Sequence, residues 1–522
     1  MVYAFTLPTT SPLSFQSSIA SSSHPSLPQS ASATRHALRL ALKAHKRLPR
    51  GPRQDAHLPT VLSALNEYIP YLFAISNALN RRFVPTDVFS SAPQDSYKPG
   101  APNPLAGEAV DITVHADIVS AWRCTLSSSG GLSLGSGATN AGGKGLRTRS
   151  GRVSGRGIHF ELAFTLTTLG YVLSRMARAG ILAALYASSS PTAEDRTAAV
   201  LTATRYLLQA GSVHSLLATS PTFTAANVST VPDLDPATQS ALSSLALAEA
   251  TLLAVLKDDA YVVACIQSRN PNDKEWMVHA PEIPKVRALL FGRLCVRAAE
   301  YAEQAAAGLG AVGSASGRAG RVDEDLVRYT GVLARVARAR ACRFFGVDAE
   351  LSGKAGEGIA WLRAARTPLG LRGAGSSQED AIGLGGSTKG GLSRLKREWT
   401  ERREERRVAK DAGGNRSDKG PLDAGDDAGR DEEGRVITML ETKWVKMNDT
   451  RADFLHPLPP APYQPPSLDE DQLMRMRAPP DERDDVQYGS DDDSEDEAGQ
   501  PDGRRTPGAF PDRSATASSV YY

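Results

Sequence analysis

Five long helical patterns follow one another between residues 157 and 345 and constrain the fold more than any other feature. They cover residues 157–179, 196–217, 236–257, 284–301 and 323–345, with apolar residues recurring three or four positions apart. The connections are short or polar, so that neighbouring helices can pack antiparallel. The sequence therefore predicts a mainly α fold, an array of packed helices, although it shows no fixed repeat period.

The fourth of these patterns, together with the polar segment before it, spans residues 269–301 and is unusually apolar. Pro284 suits the first helical position, because its missing N–H would have no partner there. Apolar residues then follow several rows of the helix: Val286, Leu290, Leu294 and Tyr301, then Leu289 and Val296, then Phe291 and Cys295. A helix that is apolar nearly all round must be covered on more than one side. The residues alone leave open whether it is a central core helix or keeps one face for a partner.

The first third of the chain predicts two further helices and a small β-element. Residues 1–33 are rich in Ser, Pro and Thr and are expected to be extended, with Phe5, Phe15 and Leu27 packed along the domain. Helices are predicted over 34–48 and 58–79. The first has a basic face, which either lies on a membrane surface or, as we favour, is solvated. Alternating β-branched residues over 110–126 predict a strand or a pair of strands.

Composition divides the chain into a helical domain, residues 1–450, and a tail, residues 451–522. The domain is interrupted by a Gly/Ser-rich insert (127–156), Gly-rich loops (307–321 and 367–391) and a charged linker (411–435). A charged helix over 392–410 and a last packed element over 436–447 are also predicted. The tail is Pro-rich, then acidic, and is expected to be disordered. Ser490 and Ser494 precede acidic runs and are candidate phosphorylation sites.

Charge and cysteine content narrow the class of protein. The chain has 60 Lys+Arg against 58 Asp+Glu, so its overall charge predicts no nucleic-acid partner. Its four cysteines are far apart and form no CxxC pair, which favours a reducing, intracellular compartment. No apolar run is judged long enough to span a membrane, and the first residues do not form a secretory signal.

No motif for catalysis or metal binding emerges. The nine histidines are placed singly, without zinc-ligand spacing. The GATNAGGKG stretch fails the phosphate-loop pattern, because Ala138 replaces its first glycine and Gly145 its hydroxyl residue. We expect no metal and no cofactor, and a non-enzymatic binding protein is favoured. An enzyme remains an alternative, since catalytic groups can be assembled in space.

Short motifs in a fixed order resemble the Bro-domain family of endosomal-sorting adaptors, and within it the regulators of fungal ambient-pH signalling. They are FTLPTT (5–10), HPSLP (24–28), LNEYIPYLFA (65–74), Phe160-Glu161, LAEATLLAVLK (247–257), NDKEWM (272–277), IPKVRA (283–288) and RLCVRAAEY (293–301). The resemblance covers roughly residues 1–450. It implies a curved, boomerang-shaped helical domain whose central helices are similar to tetratricopeptide repeats.

The resemblance also implies a binding site. In this family a hydrophobic patch binds the C-terminal amphipathic helix of the polymer-forming ESCRT-III subunit. The patch positions fall on Leu290 and Leu294, with Leu201 as a third candidate. Ala254 stands where some relatives have a bulky aromatic residue, which implies a shallower pocket. Leu289, Phe291 and Val296 are then the better core candidates.

The implied function is a non-enzymatic adaptor in alkaline ambient-pH signalling. Such an adaptor couples a plasma-membrane pH-sensing complex to ESCRT-III. It is required for the activation of a zinc-finger transcription factor by a separate calpain-like protease. The resemblance further implies a cytoplasmic protein recruited to plasma-membrane-associated or endosomal puncta, with peripheral membrane association as an option. The alternative is a general adaptor of endosomal (multivesicular-body) sorting.

Overall fold

The computed structural model describes residues 2–80, 110–126, 152–186, 192–224, 231–267, 285–312, 322–371 and 427–454. These residues form mainly helices, with two small two-stranded sheets. The predicted mainly α fold with a small β-element is thereby confirmed.

The helices in chain order are α1 (Leu27–Arg47), α2 (Pro52–Asp55), α3 (Leu58–Leu79), α4 (Ile158–Leu185), α5 (Ala193–Thr219), α6 (Pro221–Thr224), α7 (Pro236–Leu256), α8 (Ala260–Gln267), α9 (Lys285–Ala311), α10 (Glu324–Leu351), α11 (Ala355–Leu369) and α12 (Arg430–Phe454). A 3₁₀ turn at Pro232–Leu234 precedes α7. Helix α1 starts earlier than predicted, because Pro28 in its first turn is compatible with a helix start. The expectation of an extended chain up to residue 33 was wrong from Leu27 onward.

Of the four strands in the described residues, two lie within residues 110–126, where the alternating pattern predicts them, and two lie outside that stretch. Strand β1 (Ile19–Ala20) pairs antiparallel with β2 (Thr113–Val114), and β3 (Val119–Arg123) pairs antiparallel with β4 (Arg152–Arg156). A bridge from Thr10 to Trp122 joins the N-terminal segment to the second sheet. Residues 152–156, assigned from sequence to the Gly/Ser-rich insert, are therefore a strand. Ladder hydrogen bonds to β3 outweigh the low strand propensity of this stretch.

The long helices pack mostly on their neighbours in sequence. Each long helix packs on the next in the series α4, α5, α7, α9, α10 and α11. Helices α1 and α3 pack together, and α3 packs on α4 at one end of the series. Helix α12 packs on α8, α10 and α11. One continuous apolar core runs through them. The N-terminal segment contributes to it as predicted, since Phe5 and Phe15 are buried and Phe5 stacks on Tyr171 at 4.7 Å between ring centroids.

The two predicted Gly-rich loops and the predicted charged linker each overlap the end of a helix. Residues 307–311 belong to α9 and residues 367–369 to α11. Residues 430–435 of the predicted charged linker form the start of α12. Glycine and charge favour loops locally, but tertiary contacts override both here. Gly308 allows α9 to lie close to α7, and Glu433 forms buried ion pairs. Helix α12 also continues through residues 451–454, which were assigned to the tail.

Several predictions fall outside the described residues. They are the charged helix over 392–410, the NDKEWM segment, the phosphate-loop-like stretch, the rest of the tail, and Ser490 and Ser494.

Among the described helices, α7 is long and apolar enough to cross a membrane, contrary to our reading of the sequence. However, most of its side chains are buried in the protein, and Glu249 is among them. This is the pattern of a core helix that packs between two others.

Candidate functional site

Helices α5, α7 and α9 lie side by side and carry the predicted binding residues. Near the end of α5, Gly211 faces Ser243 and Ala246 of α7, and the Ser243 hydroxyl donates a hydrogen bond to the Gly211 carbonyl (3.0 Å). Near the end of α9, a Cβ at Gly308 would lie 3.1 Å from that of Ala241 on α7. Both contacts are in the first half of α7. Helices α5 and α9 therefore both run antiparallel to α7.

Helix α7 presents one row of side chains between these two neighbours. Because α5 meets α7 at Ala246 and α9 meets it at Ala241, the strip between the two contacts is left open. The exposed or half-buried residues of that strip include Ser243, Leu247, Thr251 and Ala254. Their spacing of three or four residues places them along one line of the helix. The strip forms a floor, and Ala254 lies at its far end.

Leu290 and Leu294 form one wall beside that floor. Leu290 lies about five turns before Gly308 on the same row of α9, so it faces the α7 side. Arg287 forms an ion pair with Asp258 (3.6 Å), which places the start of α9 beside the end of α7. Leu290 is 52% exposed and Leu294 is half-buried. Together they border the end of the floor that holds Ala254.

The opposite wall is formed by Leu201 and Leu208 of α5, which are 55% and 47% exposed. Leu201 lies in the first half of α5 and therefore opposite the second half of α7. Both leucines also line an open groove of about 790 Å³ toward α3 and α4, together with Leu62, Leu169 and Leu173. We call Leu201, Leu208, Ala254, Leu290 and Leu294 the apolar surface.

The structure brings all four sequence-predicted positions, Leu201, Ala254, Leu290 and Leu294, to this end of the three helices. Their role in binding stays a prediction. Of the three core candidates, Phe291 is buried and Val296 half-buried, but Leu289 is 36% exposed and its assignment to the core was wrong. Leu289 lies about 100° round the helix from Leu290, away from α7. Leu208 was missed as a site residue, although it repeats Leu201 two turns later on α5.

Two clusters of buried ionisable groups hold elements of the fold together. In the first, Glu161 at the start of α4 accepts hydrogen bonds from Arg35 (2.8 Å), Tyr68 (3.0 Å) and Trp122 (2.7 Å). Glu161 is fully buried and both of its oxygens are occupied. Burial alone would lower the pKa of Arg35, but the Glu161 charge raises it. The cluster ties α1, α3, α4 and β3 together.

The second cluster joins α12 to the region of α8 and α10. Glu433 pairs with Arg340 (2.9 Å) and Arg343 (2.5 Å), and Arg343 also pairs with Asp259 (2.5 Å). Burial alone would raise the pKa of Glu433, but the two guanidinium groups hold it below its usual value. All four side chains are buried, so this cluster is suited to holding helices together rather than to meeting a substrate.

The buried histidines are also held by packing. Burial lowers the pKa of His214 and of His45 to about 4, so both imidazoles are neutral near pH 7. His214 Nδ1 lies 2.7 Å from the Gln239 side-chain oxygen. In the described part of the chain, no three His, Cys, Asp or Glu side chains are grouped so that they could hold a metal ion.

The described residues thus define a mainly helical array with an open apolar surface over three packed helices. A curated relative from Emericella nidulans, named pH-response regulator protein palC, is 57% identical over 541 residues, and the match covers all of both chains. The chain belongs to the PalC family of pH-response regulators. No family model matches it.

Two solved structures with a weak likeness to the chain contain Bro1 domains. The chain is similar to the ALIX Bro1 domain in a complex with CHMP4C, with a TM-score of 0.40 and 13% identity over 81% of this chain and 92% of that one. It is also similar to a Bro1 domain solved in a study of endosomal targeting, with a TM-score of 0.38 and 13% identity over 85% and 98% of the two chains.

Proposed function

We propose that the chain is a non-enzymatic adaptor in alkaline ambient-pH signalling and that its apolar surface binds the C-terminal amphipathic helix of the polymer-forming ESCRT-III subunit. Membership of the PalC family supports the signalling role. The Bro-domain motifs in the sequence suggest the occupant. In this role the protein links a plasma-membrane pH-sensing complex to ESCRT-III. A separate calpain-like protease then activates the zinc-finger transcription factor.

The observation that carries the proposal is the exposure of Leu290 and Leu201 on opposite sides of the α7 floor. Neighbouring packed helices lie about 8–10 Å apart, so walls on α5 and α9 leave room above α7 for one further helix. A helix in such a groove is held by apolar residues at i, i+3 and i+4 on its own face. Leu290 and Leu294, spaced i and i+4, fit that mode of contact.

Ala254 shapes the floor. A methyl group leaves the centre of the groove shallow, so the proposed helix is held mainly by the leucines on the walls. Burial of an exposed leucine contributes roughly 1.5–3 kcal/mol before the cost of ordering the partner. Two or three such contacts suit a reversible interaction.

A complementation experiment tests the proposal in cells. A strain that lacks the gene receives either the wild-type chain, Leu290→Asp, or the matched control Leu289→Asp. We expect Leu290→Asp to fail to restore growth at alkaline pH and processing of the transcription factor, because a buried charge opposes docking. Leu289→Asp should restore both.

Equal rescue by the two variants, at equal protein levels, would contradict the assignment of the surface. A general defect in endosomal sorting, with normal processing of the transcription factor, would support the alternative of a sorting adaptor instead.

A further inference from the structure

Six basic side chains lie near one another where α1 passes the β3–β4 hairpin. Arg35 of α1 donates hydrogen bonds to Thr10 and Ser11, and the Ser11 N–H bonds to the Ala121 carbonyl of β3, which places the helix beside the hairpin. Helix α1 contributes Arg39, Lys43, Lys46 and Arg47, and the hairpin contributes Arg123 and Arg152. Arg123 and Arg152 are paired residues in the strand register, so they lie side by side. We call these six residues the basic patch.

The cations of the patch are close enough to repel one another. Repulsion by Arg39, together with Arg152 and Arg47, lowers the pKa of Lys43. Burial, with Arg123 and Arg152, lowers the pKa of Lys46. The charges that act on both lysines are all positive.

Two carboxylates of this region pair with arginines outside the patch. Asp117 pairs with Arg156 at the other end of the hairpin (3.5 Å), and Glu161 is buried in its cluster with Arg35. A surface that gathers like charges in this way is suited to an anionic partner.

Exposed aliphatic side chains accompany these cations. Leu40 is 51% exposed and shares the outward face of α1 with Lys43 and Arg47, three and seven positions later. Val119 is 48% exposed on the same outward face of β3 as Arg123, since alternate residues of a strand point the same way, but it lies four residues away, beside Arg156. Basic residues beside exposed aliphatic ones are typical of surfaces that lie in the headgroup region of a membrane.

The segment that joins β3 to β4 has the same charge, although we do not include it in the patch. Residues 127–151 contain Lys144, Arg147 and Arg149 and no Asp or Glu.

We propose that the basic patch is a contact surface for an anionic lipid bilayer. Juxtamembrane Lys and Arg residues are attracted to acidic headgroups within about one Debye length, and Leu40 and Val119 can enter the interface. Nucleic acid fits less well, because the patch offers no aromatic side chain on which a base could stack. The inference is independent of the proposed function, since the apolar surface binds a protein helix and lies on α5, α7 and α9.

Sedimentation with lipid vesicles tests the inference on the full chain without any ESCRT-III component. We expect binding to phosphatidylcholine vesicles that contain phosphatidylserine, and none to phosphatidylcholine alone. Binding should weaken as salt rises, because the Debye length falls from about 10 Å at 0.1 M to about 3 Å at 1 M.

A pair of charge reversals localises the contact. The double variant Lys43→Glu/Lys46→Glu should reduce the affinity for anionic vesicles at least roughly tenfold. The control Arg435→Glu/Lys443→Glu changes the net charge equally at exposed positions of α12 and should bind like the wild type. The milder variant Lys43→Gln/Lys46→Gln should give an intermediate loss, and circular dichroism confirms that each variant is folded.

Three results would overturn the inference. They are equal binding to neutral vesicles, equal loss in patch and control variants, or absence of vesicle binding while the patch binds a peptide of residues 481–502. The last result would assign the patch to the acidic stretch of the chain's own tail. A failure of vesicle binding leaves the helix-binding proposal untouched, because that proposal is measured with a different ligand.

Discussion

Glu249 lies at the centre of the contacts that hold the N-terminal segment against α7 and α10. Its side chain accepts hydrogen bonds from the backbone N–H of Tyr3 (2.8 Å) and the hydroxyl of Tyr329 (2.9 Å). Arg178 of α4 donates nearby to the carbonyl of Val2 (2.7 Å). Burial raises the pKa of Glu249 to about 7, and the two hydrogen bonds and the Arg178 charge only partly oppose it. This carboxyl group therefore changes its charge in the neutral range.

The raised pKa predicts a pH dependence of stability. The folded state binds the proton of Glu249 more tightly than the unfolded state does, so protonation of Glu249 stabilises the fold. This stabilisation is complete below the usual glutamate pKa, near 4.5, and is lost as the pH rises through about 7. Its full size is roughly 3 kcal/mol at about 1.4 kcal/mol per pKa unit. We expect Glu249→Gln to remove this part of the decline in the free energy of unfolding between about pH 5 and pH 8. Urea titrations at several pH values measure it.

The matched control is Glu67→Gln, at an exposed position of α3. It should leave the pH profile of the wild type unchanged. A Glu249→Gln profile parallel to that of the wild type would show that Glu249 does not titrate in this range.

At the scale of single elements, α12 depends on Glu433. Its carboxylate faces both Arg340 and Arg343 in a buried setting. Replacing one partner of a buried ion pair leaves the other charge uncompensated and typically costs roughly 3–5 kcal/mol. We expect Glu433→Gln to lower the free energy of unfolding by an amount in that range, as measured by chemical denaturation. Protease cleavage should increase first within α12.

The neighbouring exposed residue Asp431 provides the control. Asp431→Asn should change stability by less than about 0.5 kcal/mol, as surface substitutions usually do. Equal effects of the two substitutions would mean that the buried pairs do not anchor α12.

The elements also show how far sequence reasoning reaches. Periodicity located α3 and α7 almost to the residue, because their apolar rows and their starts with proline in the first turn are local signals. It failed at the start of α12, since Glu433 looks solvated until Arg340 and Arg343, far earlier in the chain, are placed beside it. Glu432 is likewise buried and accepts a hydrogen bond from Tyr186 (3.2 Å). The family resemblance failed at Leu289, which it assigned to the core and which is 36% exposed. The rotation of α9 relative to α7 and α10 decides which of its side chains are buried, and neither motif matching nor sequence spacing specifies that rotation.

At the scale of the whole molecule, residue 454 marks a useful boundary. The apolar surface and both buried clusters lie within residues 2–454. We expect a chain that ends at residue 454 to keep its thermal stability and its affinity for the ESCRT-III helix, as measured by calorimetry. A chain that ends at residue 429 loses α12 and Glu433 and should unfold at a markedly lower temperature.

A loss of helix binding in the longer truncation, with stability intact, would place part of the binding site in residues 455–522. Equal stability of both truncations would contradict the anchoring role of α12.

Binding of an amphipathic helix to the apolar surface over α5, α7 and α9 can be measured by a single calorimetric titration. A peptide of the C-terminal helix of the ESCRT-III subunit is titrated into the wild-type chain, Leu290→Asp and Leu289→Asp, each with an unchanged circular dichroism spectrum. We expect Leu290→Asp to weaken binding at least tenfold, or about 1.4 kcal/mol, while Leu289→Asp binds like the wild type. Equal affinities of all three chains, or a larger loss for Leu289→Asp, would contradict this expectation.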